Sequence, residues 1–76
     1  MPATLDERRN ALADCIEKLA PRQRQLLSHR YAAGATIKSA AAQVGQSVDA
    51  AYKALTRIRE ALFDCVSRRA AQERHA

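Results

Sequence analysis

The chain has 76 residues, with 13 Lys and Arg against 8 Asp and Glu and a formal net charge of +5. That length makes one small domain with a marginal core, and no run of about 18 apolar residues is present to span a membrane. The sequence contains no Gly-rich phosphate loop, nucleophile motif or metal-ligand spacing, so no enzyme, cofactor or metal site is expected.

The opening Met-Pro-Ala-Thr-Leu-Asp lacks the basic start and apolar stretch of a leader, and a cytoplasmic protein is expected. Arginine supplies most of the positive charge. Its planar fork suits phosphates and guanine edges better than lysine does, although a basic chain also attracts acidic proteins.

The first helix should run over 4–19. Thr4 and Glu7 have the spacing of a capping box. Leu5, Leu12, Cys15, Ile16 and Leu19 share its inward side, and Asp14 and Lys18 are spaced to pair along the helix. Pro21 then opens a second helix, because its missing N–H costs nothing in a first turn. That helix should cover 21–33, with Leu26, Leu27 and Tyr31 inward, Arg22, Arg24 and Arg30 outward, and Gly34 as a left-handed cap. His29 has no ligand partner at helical spacing.

Thr36 should cap a third helix over 36–44, with Ile37, Ala40, Ala41 and Val44 toward the core. Gly45 allows a sharp turn, and Ser47 caps a fourth helix over 48–69; the stripe is lost after Val66, and the last turns, Ser67 to Arg74, should fray. Val48, Ala51, Leu55, Ile58 and Leu62 fall in steps of three and four, which is one helical stripe. Asp49, Lys53, Thr56, Arg57 and Glu60 lie opposite, with Tyr52 and Arg59 on a flank. Cys15 and Cys65 each follow an aspartate on an inward face. Both are expected to be reduced core thiols, since free cysteine is often buried and a disulfide does not suit a reducing cytosol. A short helix, a glycine turn and a capped helix with a basic outer face together predict an all-α, four-helix domain ending in a helix-turn-helix.

Three stretches also resemble a known family. They are Leu19-Ala20-Pro21-Arg22-Gln23-Arg24-Gln25-Leu26-Leu27 followed by Arg30-Tyr31-Ala32-Ala33-Gly34, then Thr36 through Val48, then Leu55-Thr56-Arg57-Ile58-Arg59-Glu60-Ala61-Leu62. In this order and at these gaps, over roughly residues 10–66, they resemble the C-terminal domain, region 4, of bacterial extracytoplasmic-function sigma factors. The resemblance implies double-stranded promoter DNA as ligand, read at the −35 element by the last two helices. It implies docking of the earlier helices on the RNA polymerase core at the β-subunit flap, with an anti-sigma factor as a further candidate partner. The family's DNA-melting domain is not in these residues, so the chain is expected to be a piece of a longer sigma factor or an excised domain. It departs from the family at Asp49-Ala50-Ala51, at Tyr52-Lys53 and at the small Ala40, so base preference does not carry over.

The candidate DNA-binding residues are Lys38, Gln46, Ser47, Asp49, Tyr52, Lys53, Thr56, Arg57 and Arg59. Lys53, in the second turn, is placed for base edges and Arg57 for phosphate. Asp49 either accepts from cytosine or complements the positive helix N-terminus. Tyr52 either touches DNA or covers the core edge, and Arg59 lies at the stripe's edge, where it can instead pair with a carboxylate. Two other readings stay open: another bacterial helix-turn-helix regulator, and a helical module whose basic helix docks on an acidic protein.

Overall fold

The computed structural model describes Thr4 to His75; Met1–Ala3 and Ala76 lie outside the described residues, as do the side chains of Glu73, Arg74 and His75. Met-Pro-Ala, part of the leader argument, therefore lies outside them. The described chain forms four helices and no strand: α1 Leu5–Glu17, α2 Pro21–Arg30, α3 Ile37–Gln43 and α4 Val48–His75.

Hydroxyl caps set the starts. Thr4 Oγ1 accepts from the Glu7 N–H at 3.2 Å, and the Glu7 carboxylate accepts from the Thr4 N–H at 3.0 Å. Thr36 Oγ1 likewise accepts from the Ser39 N–H at 3.1 Å, while Ser39 Oγ accepts from the Thr36 N–H at 2.9 Å. Ser47 Oγ accepts from the Ala50 N–H at 3.1 Å. Each bond satisfies a first-turn donor that the helix itself cannot. At α2 the cap position is Ala20, which has no side-chain acceptor, and Gln23 Oε1 takes the Ala20 N–H at 3.1 Å.

Besides α1, which ends at Glu17 rather than 19, two helix ends differ from the sequence pattern. α2 stops at Arg30 rather than near Ala33; the Ala35 N–H donates to the Ala32 carbonyl at 3.0 Å, and Gly34 turns the chain at φ 73°. Ala32, Ala33 and Gly34 bring almost no side chain to bury, so nothing offsets the entropy of another helical turn. Tyr31, expected inward, is left at this end with 62% of its surface exposed. α4, by contrast, stays helical past Arg69 to His75. Val66 and Ala70 are half-buried, and Arg69 donates to the Asp14 carboxylate at 2.6 Å, so lateral support from α1 outlasts the apolar stripe. Asp14 is thus engaged by Arg69 and not by Lys18. At about 1.5 Å per residue the 28 residues of α4 span about 42 Å, and the molecule's long dimension is 42 Å.

The core lies where α4 crosses α3 and α1. Cys15, Leu26, Ala40, Ala41, Ala51, Leu55, Ile58 and Leu62 form one buried cluster, with Ile16, Leu19, Leu27, Ile37 and Val44 packed around it. Ala40 and Ala51 are fully buried, and their small side chains let α3 and α4 approach closely beneath Leu55. Leu5, Leu12 and Val48, placed on stripes by the sequence, are exposed at the edges.

The cysteines overturn the expectation of free thiols. Cys15 and Cys65 form a disulfide with Cα atoms 6.0 Å apart. Cys15 is buried and Cys65 half-buried on the inward stripes along which α1 and α4 meet, so burial and pairing have the same cause. The cytosolic argument spoke only to the redox surroundings and missed this proximity.

Candidate nucleic-acid interface

α3, the turn and the first half of α4 form the helix-turn-helix. α3 ends at Gln43, Val44 has a C-cap conformation, and Gly45 takes φ 69°. The Gln46 N–H reaches back to the Ala41 carbonyl at 2.9 Å and closes the turn. Ser47 then starts α4 twice over: its hydroxyl takes the Ala50 N–H, and its carbonyl takes the Ala51 N–H at 2.9 Å. The turn is therefore fixed by backbone bonds at both ends, which sets how α4 leaves the domain.

With Ala51, Leu55 and Ile58 facing inward, 3.6 residues per turn carries Asp49, Lys53, Thr56 and Arg57 to the opposite side. All four are exposed. Lys53 Nζ lies 3.1 Å from the Asp49 carboxylate in an exposed i,i+4 pair. Such pairs contribute only about 0.3–0.5 kcal/mol and are screened by salt, too little to keep Lys53 from a stronger anion. Asp49 also sits in the first turn, where a negative charge complements the helix dipole. Arg57 has no acidic partner among the described residues. The Thr56 hydroxyl donates to the Tyr52 carbonyl at 3.0 Å. Tyr52 is 62% exposed on the flank, and Lys38, the second residue of α3, is exposed on the neighbouring helix.

Two candidate residues stand apart from this face. Gln46 is half-buried in the turn, with Oε1 enclosed and without a hydrogen-bond partner among the described residues. Arg59 turns toward α2, and its Nε–H donates to Tyr31 Oη at 3.2 Å. Its partner is thus a tyrosine and not a carboxylate.

A second surface is one whose residues the sequence reading did not single out as a site. Leu12 and Ile16 of α1, Leu27 of α2, Tyr31 just past its end and Leu62 of α4 line an apolar groove of about 500 Å³, with Arg24 and Arg59 on its walls. Its signal was present but divided among apolar residues of three helices, which only the assembled packing joins.

Among the described residues there is no cluster of metal-ligating side chains and no helix long and apolar enough to cross a membrane. A capped helix with a basic outward face, set by a glycine turn on a short helix, defines a helix-turn-helix DNA-binding class. The family model for sigma-70, region 4, matches residues 9–62. The chain belongs to this sigma-70 region 4 family, whose helical domains bind promoter DNA and work with RNA polymerase without being catalytic. No curated protein and no solved structure matches the chain.

Proposed function

We propose that the chain is one domain that reads the promoter −35 element for an extracytoplasmic-function type of sigma factor in the cytoplasm. The observation that carries this reading is the outward face of α4, with Lys53 and Arg57 exposed behind a turn held at Ser47 and Gly45. The recognition helix of such a motif enters the major groove by its N-terminal part. Lys53, one turn into α4, reaches base edges, while Arg57, one turn later, meets a phosphate. Tyr52 and Thr56 border the same groove, and Lys38 and the Ser47 end of the turn lie toward the backbone. Asp49 holds Lys53 in the free protein and releases it to DNA.

The apolar groove between α1, α2 and α4 receives the RNA polymerase β-subunit flap, and an anti-sigma factor would compete for it. An apolar cleft walled by two arginines suits a helix that presents aliphatic anchors beside an acidic residue. The groove also supports the protein-docking alternative, in which α4 serves no DNA.

Selection of bound sequences from a random duplex library tests the reading. A single enriched motif a few base pairs long is expected. Recovery of unenriched duplexes, with retention by polymerase β subunit, would leave only the docking function.

A further inference from the structure

One wall of the apolar groove depends on the disulfide. Leu12 and Ile16 are the residues that α1 contributes to the groove, and Leu62 lines it from α4. Cys15 lies between Leu12 and Ile16 in sequence, and Cys65 lies one turn beyond Leu62. The Cys15–Cys65 bond therefore joins α1 to α4 beside the residues that form the groove.

Little else holds α1 in place. It packs chiefly on α4, and its only fully buried residues are Ala11 and Cys15. Ile16 is partly buried at the edge of the core. The Asp14–Arg69 pair also links α1 to α4, but its side chains are 47% and 33% exposed, and an ion pair in contact with water contributes little. The 13 residues of α1 are about the length at which an isolated helix is marginal. The helix-turn-helix does not share this dependence. Ala40, Ala41, Ala51, Leu55 and Ile58 lie on α3 and α4, and the turn between them is closed by the bonds of Gln46 and Ser47.

We propose that the Cys15–Cys65 pair is a redox switch for the groove. In the oxidised chain α1 is held and the groove docks its protein partner; reduction by a dithiol releases α1 and ends docking, while the helix-turn-helix stays folded. Cys15 is 2% exposed and Cys65 half-buried, so exchange starts at Cys65. A thiolate of the dithiol attacks Cys65 Sγ, forming a mixed disulfide and releasing the Cys15 sulfur as a thiolate, which takes a proton. The second thiol of the reductant then displaces Cys65 Sγ, which is protonated in turn. Two electrons and two protons pass to the protein, and the dithiol leaves as its own disulfide. The same disulfide drives the sequence backwards. In a cytoplasm a thiol pool reduces accessible disulfides, so the bond there follows the redox state instead of acting as a fixed staple. The switch regulates the docking function proposed above and rests on it.

The test takes the whole chain through one cycle, oxidised, reduced with dithiothreitol and reoxidised with oxidised dithiothreitol, well below its melting temperature. Binding to the RNA polymerase β subunit is measured at each stage. If reduction leaves α1 docked about a tenth of the time, apparent affinity falls about tenfold, and reoxidation should restore it. Methyl NMR of the same samples reads the structure directly. Contacts between Ile16 and the buried cluster should be lost on reduction, while those among Ala40, Ala51 and Leu55 are kept. Neither reading needs a variant to fold. The Cys15→Ala, Cys65→Ala double variant should bind as the reduced chain does and ignore dithiothreitol. If oxidised and reduced chains bind the β subunit equally, or Ile16 keeps its contacts on reduction, the switch fails and the docking function stands. If the Ala40, Ala51 and Leu55 contacts vanish together with those of Ile16, reduction unfolds the whole domain and the switch is overturned. If the oxidised chain does not bind the β subunit, the docking function and the switch fall together.

Discussion

Reducing the Cys15–Cys65 disulfide should destabilise the domain more than any single surface change. The bond joins residues 50 apart in sequence and ties α1 to the second half of α4. In the chain-entropy model a closed loop of about 50 residues contributes about 4 kcal/mol, by restricting the unfolded chain. A domain this size loses about 4–8 °C in Tm per kcal/mol, so reduction should lower Tm by about 15–30 °C. α1 should loosen first. Its fully buried residues are only Ala11 and Cys15, whereas the α3–α4 crossing keeps Ala40, Ala51, Leu55 and Ile58. The assay is thermal unfolding by circular dichroism with and without a phosphine reductant, followed by hydrogen exchange on the reduced form. A Cys15→Ala, Cys65→Ala double variant should lack the reductant effect. A fall below about 5 °C would refute the staple, as would exchange that rises uniformly instead of in α1.

Leu55→Ala should cost about 2–5 kcal/mol, because it empties a buried position where α3 and α4 meet; urea unfolding checks it, and a cost below about 0.5 kcal/mol would misplace the stripe. Gly45→Ala should cost about 1–2 kcal/mol from backbone strain alone, since φ is +69° and nothing lies within 4 Å of an added Cβ; Gly45→Asn should cost less. Leu27→Asp should weaken binding of the polymerase β subunit at least tenfold and leave duplex binding unchanged, read by pull-down beside anisotropy; equal loss on both would mean a general folding defect.

Much of the architecture was legible in the sequence because it is local. A hydroxyl residue before an apolar stripe marks a helix start at Thr4, Thr36 and Ser47, and each makes its capping bond. Gly34 and Gly45, expected at turns, both take positive φ. What escaped depends on several helices meeting. Tyr31 falls on an inward position of its own helix, but α2 ends there, so the ring turns outward and gathers Arg30 and Arg59. Asp14 has Lys18 at pairing spacing in the sequence, yet α4 brings in Arg69, whose planar fork fits a carboxylate better. The groove at Leu12, Leu27 and Leu62 is likewise no property of any one stripe. The outward face of α4 was readable by subtraction, as what remains once Ala51, Leu55 and Ile58 are turned inward. Arg59, at the boundary of that subtraction, was the residue periodicity could not assign.

The central claim, that the outward face of α4 reads DNA, is tested most directly by anisotropy titration of Lys53→Ala and Arg57→Ala against cognate and base-substituted duplexes at several salt concentrations. Lys53→Ala should cost about 1–3 kcal/mol on the cognate duplex and flatten preference at one base pair. Arg57→Ala should weaken every duplex alike and lower the salt slope by about one. Equal loss by both variants on every sequence would contradict base reading by Lys53, and no loss by either would show that this face does not meet DNA.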